Sequence, residues 1–256
     1  MDRRSFIITA ATGIVGAAAA SSSCAANTTT NGSAAGAVAI PAGSSLQDPA
    51  SNTMANYKSI SLDHLKGGLD GLSAGQLEEH GKLYDGYVKR TNVLMDKTAK
   101  LVASGAHLND QKAPTPEYCE LKRRFGFEFN GMVLHEYYFQ NLKKNGGDMP
   151  KGSALAKAAE RSFGSVQNWW EDFKATSKAP GIGWVICYQD PRSKRIINSW
   201  VTMHEEGNVA GYGVILALDL WEHAFVGDYK PTERGKYLAA FEKNIDWDAA
   251  TARIIV

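Results

Sequence analysis

Apolar residues recur every three or four positions in two long stretches of the chain, and this spacing predicts two amphipathic helices. The first begins after Ser73, a helix-capping residue, with Gln76 in the capping-box position, and continues to about Ser104. The second runs from about residue 117 to 144 and is rich in aromatic side chains. A polar, Pro-containing loop joins them, which favours an antiparallel helical hairpin.

The second half of the chain is patterned for shorter elements. A Gly- and Lys-rich break at residues 143–152 separates it from the hairpin. Beyond the break we expect one or two helices over 153–176, strands at 184–188, 195–203 and 213–219, a helix from Trp221 and a final helix over 235–245. The sequence therefore predicts an α+β fold: a long antiparallel α-hairpin domain over 57–150, followed by a domain over 151–256 with a three-stranded antiparallel sheet and packed helices.

The first 56 residues have a different pattern. Arg3 and Arg4 precede an Ala-rich apolar stretch that is shorter than the roughly 20 residues needed to span a bilayer. Residues 1–24 are therefore predicted to be an export signal of the twin-arginine type, with an uncleaved anchor as the alternative. Cys24 follows three serines in a segment that is similar to a lipoprotein processing site, so it is a candidate for a lipid anchor.

Residues 25–56 are rich in Ala, Ser, Thr and Gly and carry a single charge, Asp48. Such a segment has too little apolar surface to form a core and is predicted to be a flexible linker. We expect the mature protein in the periplasm or cell envelope, tethered to a membrane if Cys24 is lipidated.

Composition narrows the possible functions. The chain has 256 residues, 44% of them hydrophobic, and a formal net charge of +1. Because the net charge is close to zero, it gives no electrostatic argument for nucleic acid or a membrane surface as partner. The three cysteines lack the spacing of a zinc site or a disulfide framework. Cys119 and Cys187 are expected to be buried thiols rather than a bridge.

Two candidate metal ligands occur where the third predicted strand ends. An aliphatic run stops at Asp219, and His223 follows four residues later. A carboxylate at the end of so apolar a segment is costly unless it is paired or bound to a metal, although ordinary capping is the alternative for a pair of this spacing. His80 and His135 lie on the apolar faces of the two long helices, where a lone histidine is usually a core residue. Together the four side chains form a donor set that suits Fe or Mn better than structural zinc.

Residues 219–225 (DLWEHAF) resemble the third signature of the iron/manganese superoxide dismutases, D-x-W-E-H-A-[YF]. Residues 181–184 (GIGW) are similar to the G-S-G-W of that family, and residues 130–135 with their trailing aromatics agree. The resemblance extends from about residue 57 to 256. It implies that one Fe or Mn ion per subunit is bound by four residues, His80, His135, Asp219 and His223. It further implies disproportionation of superoxide to dioxygen and hydrogen peroxide. Two alternatives are a non-catalytic metal-binding or structural relative of the same fold and another oxygen-reactive iron enzyme.

The resemblance also assigns catalytic roles around the metal. Tyr87 is similar to the family's gateway tyrosine, although it follows the first ligand by seven residues where eight is common. Tyr84 lies near the position of a histidine that relatives carry behind the ligands. His204 matches a Gln or His that is hydrogen-bonded to metal-bound solvent, and Gly131 would leave room for it. Core packing is the alternative for both tyrosines, and a surface loop is the alternative for His204.

Glu222 resembles the residue that bridges to a ligand histidine of a second subunit, which implies a homodimer through the region of Glu222 and His223. Trp184 and Trp221 are expected to line the metal pocket. Val226 stands where relatives commonly have a tyrosine at this interface, so we expect an altered proton gateway.

Overall fold

The computed structural model describes residues 56–256. The predicted export signal, Cys24 and the linker up to residue 55 lie outside the described residues. Within residues 56–256, no helix combines the length and apolar character that crossing a bilayer requires.

Helices and a small sheet alternate along the described part of the chain. The helices are α1 (Ala74–Ser104), α2 (Pro116–Gln140), α3 (Ala154–Phe163), α4 (Val166–Ser177), α5 (Arg234–Lys243) and α6 (Trp247–Ala252), and the strands are β1 (Trp184–Gln189), β2 (Ile196–Val201) and β3 (Gly213–Asp219). The predicted combination of helices with a three-stranded antiparallel sheet is confirmed.

Helix α1 begins and ends where the sequence predicts. The Ser73 hydroxyl accepts a hydrogen bond from the Gln76 amide at 3.1 Å, and Gly105 terminates the helix with a left-handed φ of 74°. The predicted capping box is nevertheless wrong. The Ser73 amide, which the Gln76 side chain would have to reach, donates instead to the Asp228 carboxylate at 2.7 Å. The Gln76 side chain is thereby free to bind elsewhere.

Helices α1 and α2 contact each other through buried polar groups as well as apolar ones. The Tyr84 hydroxyl donates to Glu136 at 2.9 Å, and Arg90 donates to Glu128 at 2.7 Å. Glu128 is buried and also forms an ion pair with Arg124 at 2.7 Å. Because two cations converge on one carboxylate, the buried charge of Glu128 is compensated.

Strand β1 is the centre of the sheet, with β2 and β3 antiparallel to it on either side. All six residues of β1 are buried, as expected of a strand covered on both faces. Trp184 is paired with Val201 on one neighbour and with Asp219 on the other. This register places the Trp184 ring beside the last residue of β3.

Two expectations about helices are wrong. After Trp221 the chain forms one turn of 3-10 helix, Glu222–Ala224, instead of a longer helix. The backbone turns there because Phe225 leaves helical geometry with φ −148°. The short helix α6 was not expected from the sequence. Its start is fixed by Asp246, whose carboxylate accepts from the amides of Asp248 and Ala249 at 3.1 Å.

The two described cysteines are both free, but only Cys187 is buried. Cys119 is exposed near the start of α2, so the expectation of a buried thiol is wrong at that position. Its place in the first turn of an amphipathic helix explains the difference, because that part of α2 faces solvent.

Candidate metal centre

Four elements deliver the four predicted ligands to one point. His80 comes from α1, His135 from α2, Asp219 from the end of β3, and His223 from the turn that follows. One ligand atom from each lies within 4.8 Å of all the others. The Asp219 Oδ2 atom is 3.1 Å from His80 Nε2, 3.2 Å from His223 Nε2 and 3.6 Å from His135 Nε2.

The surroundings of His135 indicate most clearly that the cluster binds a cation. Its Nδ1 lies 2.6 Å from the Gly131 carbonyl oxygen, which can only accept, so Nδ1 carries the proton. Burial holds the pKa of His135 well below its usual range, so Nε2 is an unprotonated lone pair. Within residues 56–256 that atom has no hydrogen-bond partner, and it faces the Asp219 carboxylate. Two buried acceptors directed at each other require a cation between them.

Asp219 is held as an anion. Burial opposes its ionisation, but attraction to His223 and the close contacts of Oδ2 with the His223 and His80 rings outweigh burial and lower its pKa. Its other oxygen, Oδ1, accepts from the Trp221 amide at 2.8 Å, and its main-chain carbonyl accepts from the Tyr237 hydroxyl at 2.8 Å. These bonds fix the carboxylate so that Oδ2 faces the three imidazoles.

The donor set matches a redox-active metal of the Fe or Mn type. Three imidazole nitrogens and one carboxylate oxygen, without a thiolate, are borderline and hard ligands. His80, His135 and Asp219 are fully buried, whereas the side chain of His223 is 22% exposed. The residues present therefore fit a single Fe or Mn ion.

Several known proteins are similar in sequence to this chain. The iron superoxide dismutase of Cupriavidus metallidurans is 39% identical over 188 residues, which cover 72% of this chain and 89% of that protein. This chain belongs to the iron/manganese superoxide dismutase family. The iron superoxide dismutase of Aquifex pyrophilus is 35% identical over 203 residues, covering 78% of this chain and 92% of that protein. Manganese superoxide dismutase 2 of Haloferax volcanii is 40% identical over 124 residues, 48% of this chain and 61% of that protein. Residues 150–253 match the family model for iron/manganese superoxide dismutases, C-terminal domain.

The structure places His204 in the interior beside the metal ligands of this superoxide dismutase family member. Its Nδ1 lies 3.0 Å from Trp184 Nε1, and its Nε2 lies 2.7 Å from the Tyr87 hydroxyl. An indole nitrogen can only donate, so Nδ1 of His204 must accept and the ring proton lies on Nε2. Burial lowers the pKa of His204 to about 4, in agreement with a neutral ring. His204 therefore donates to the oxygen of Tyr87 and leaves the phenol proton free to point elsewhere.

Tyr87 is wedged between the two long helices. Its ring centroid is 5.1 Å from that of His135 and 4.8 Å from that of His204. A Cβ atom added at Gly131 would be only 2.6 Å from Tyr87 Cδ1, so Gly131 makes room for Tyr87 itself rather than for His204. Burial and the nearby Asp219 charge raise the pKa of Tyr87, which keeps the phenol protonated.

Tyr84 is fully buried, but its hydroxyl is directed away from the ligand atoms. It donates to Glu136 and accepts from the Ile60 amide, both at 2.9 Å. Its ring centroid lies 6.4 Å from that of His135. Tyr84 thus connects the back of the ligand pair to the buried carboxyl of Glu136, a residue that sequence reasoning missed. Glu136 was recognisable as a charged residue next to a ligand within an aromatic-rich run.

The two tryptophans cover the ligand cluster. The Trp184 ring centroid is 5.0 Å from that of His135, and the Trp221 ring stacks on His204 and His223 at 5.0 and 5.8 Å. Glu222 lies outside this packing and is exposed in the single chain.

Proposed function

We propose that this chain is a superoxide dismutase, which converts two superoxide anions and two protons to dioxygen and hydrogen peroxide at one Fe or Mn ion. The observation that carries the proposal is the His135 Nε2 atom, which has no hydrogen-bond partner among the described residues and faces the Asp219 carboxylate inside a four-ligand cluster. The relatives that share the family are themselves named superoxide dismutases.

When bound, the ion supplies the two one-electron transfers by alternating between its oxidation states. The surrounding residues orient the ligand side chains and keep a hydroxyl proton close to the site. Asp219 is fixed by the Trp221 amide, and His135 by the Gly131 carbonyl, so their donor atoms need little reorganisation. Tyr87 retains its phenol proton because burial raises its pKa, and His204 occupies only the oxygen lone pair. The Tyr87 hydroxyl thus keeps an O–H group that can donate a hydrogen bond at the inner wall of the site.

We further propose that α1 and α2 form an antiparallel hairpin constituting a domain over 57–150. The contacts between Tyr84 and Glu136 and between Arg90 and Glu128 support this arrangement, because they advance along α1 while receding along α2.

The active form is proposed to be a homodimer in which Glu222 contacts the partner subunit's His223. Two features support this interface: Glu222 is an exposed carboxylate beside the ligand, and Val226 is an apolar side chain left 46% exposed close by. The carboxylate would accept from Nδ1 of the imidazole, which fixes the ring and raises the basicity of its ligand nitrogen. Sedimentation of the native protein and of Glu222→Ala tests the interface, and a monomeric parent would contradict it.

Export to the periplasm or cell envelope, with a lipid anchor on Cys24, is proposed from residues 1–24 alone. Mass spectrometry of the mature amino terminus is the test. A terminus at the initiating residue would contradict cleavage of the export signal, and an unmodified Cys24 would contradict the lipid anchor.

The catalytic proposal is tested by following superoxide consumption after loading the protein with Fe or with Mn. The parent should consume superoxide with at least one ion, and His80→Ala should not. His107→Ala is the matched control, because His107 lies outside the ligand cluster. Metal binding without superoxide consumption by the parent would instead identify a non-catalytic relative. Equal activity of the parent and His80→Ala would refute the site.

A further inference from the structure

His223 differs from the other ligands in how it is supported. His80 and His135 are held by long helices, and Asp219 ends a strand of the sheet, but His223 lies in a single turn of 3-10 helix. It is also the one ligand of the four with an exposed fraction, 22% of its side chain. A short, partly exposed turn does not by itself hold an imidazole within the few tenths of an ångström that metal coordination requires.

Gln76 holds this turn from α1. Its Nε2 donates to the His223 main-chain carbonyl at 2.7 Å, and its Oε1 accepts from the Gly227 amide at 2.7 Å. The Gln76 residue is only 6% exposed. It lies one helical turn before His80, so both occupy the same face of α1. One side chain thus links the helix that carries one ligand to the main chain of another.

Gly227 shows that this contact is built into the sequence. A Cβ atom at position 227 would lie 2.6 Å from Gln76 Oε1, closer than Cβ atoms lie to other heavy atoms in proteins. Gly227 is not among the glycines with positive φ, so backbone conformation does not require glycine there. A side chain at position 227 would therefore displace the end of the Gln76 side chain from its present position.

Two neighbouring hydrogen bonds join the same two parts of the chain, the start of α1 and residues 223–229. The Ser73 amide donates to Asp228 at 2.7 Å, and the Tyr229 hydroxyl donates to the Gly71 carbonyl at 2.5 Å. The start of α1 and residues 223–229 are thereby joined at several points. Gln76 is the member that bonds directly to the main chain of a ligand.

We propose that Gln76 and Gly227 form a latch that positions His223 relative to His80, with Gln76 acting as a positioning residue for the metal. The latch requires an amide, because the same side-chain end must donate to a carbonyl and accept from an N–H. A carboxylate keeps the acceptor for Gly227 but cannot donate to His223, and leucine can do neither.

The test uses Gln76→Glu, Gln76→Leu and Gly227→Ala in the full chain. Affinity for Mn²⁺ is measured by competition with a chelator, and the Fe³⁺-loaded forms are compared by electron paramagnetic resonance. We expect about 10-fold weaker binding and a changed Fe³⁺ line shape in all three variants, in the range typical for residues that orient metal ligands. Gln167→Leu and Gly235→Ala are the matched controls: Gln167 is exposed on α4, and a Cβ at Gly235 would meet no atom of the described residues within 4 Å.

The double variant Gln76→Leu/Gly227→Ala provides a second criterion. Its loss of affinity should be much smaller than the product of the single losses, because both changes break the same contact. The proposal is overturned if the folded variants bind Mn²⁺ with parental affinity and give the parental Fe³⁺ line shape, or if the losses multiply. It is also overturned if the loss appears only when the oligomer dissociates, as followed by sedimentation. Because the latch rests on the proposed metal site, a parent that binds neither ion would refute both.

Discussion

Gly131→Ala should disrupt the active site while leaving the fold intact. The added methyl group would lie 2.6, 2.8 and 3.0 Å from three atoms of the Tyr87 ring. Carbon atoms in contact are about 3.5–4.0 Å apart, so the ring would have to retreat by about 1 Å. The hydrogen bond between the Tyr87 hydroxyl and His204 Nε2 is 2.7 Å long, and such a retreat would stretch it beyond about 3.2 Å.

The effect on stability is the difference between two terms. Overpacking a buried site costs roughly 1–3 kcal/mol, whereas replacing glycine by alanine inside a helix gains up to about 1 kcal/mol. We therefore expect a net loss of between about 0 and 3 kcal/mol. The rate of superoxide consumption should fall at least roughly tenfold, because a proton donor loses its position.

Gly126→Ala is the matched control on the same helix. Of the side chains that the structure describes, a Cβ there would meet only that of Glu205, at 3.6 Å, which is an ordinary contact. Thermal unfolding and superoxide consumption are measured for both variants at equal metal content. The reasoning fails if Gly131→Ala keeps parental activity and gains stability as Gly126→Ala does.

Three further changes test the buried polar groups. His204→Gln should make stability less dependent on pH between about 4 and 6.5. The pKa of His204 is lowered to about 4 in the folded chain, so only the unfolded chain binds this proton in that window, and parental stability falls as pH falls, by up to about 1.4 kcal/mol per pH unit. Urea unfolding at several pH values measures this, and parallel profiles would contradict it. Tyr84→Phe removes the donor to the buried Glu136 and should cost roughly 1–3 kcal/mol, and an unchanged unfolding midpoint would show that the bond contributes nothing. Glu128→Gln leaves two half-exposed arginines without their common anion and should cost about 1–3 kcal/mol. Because the carboxylate is buried, most of this loss of stability should remain at high salt concentration.

Much of the fold follows from periodicity. The extent of α1 and the position of β3 could be predicted because long, regular patterns of apolar residues leave few alternatives. Helix α6 was missed because six residues give too short a pattern, and its start depends on one capping aspartate. The turn at Glu222–Ala224 was mistaken for a longer helix because local propensity does not show where tertiary packing ends an element.

The candidate site divides in the same way. The four ligands could be named from a resemblance to a family signature, and the structure brings their donor atoms together. The partners of Gln76 could not be named, because they are main-chain atoms about 150 positions away. The role of Gly131 was assigned to the wrong neighbour for a related reason: a glycine marks a close approach, but the sequence does not identify the group that approaches.

The ligands come from residues 80, 135, 219 and 223, and no short stretch of the chain contains even three of them. A nascent or unfolded polypeptide therefore has no preformed cage for an ion, and the cage exists only after both halves have come together. The ion is then acquired wherever folding is completed, from whatever concentrations of iron and manganese prevail there. Whether iron or manganese occupies the site therefore depends on the compartment in which the chain folds as well as on the ligands.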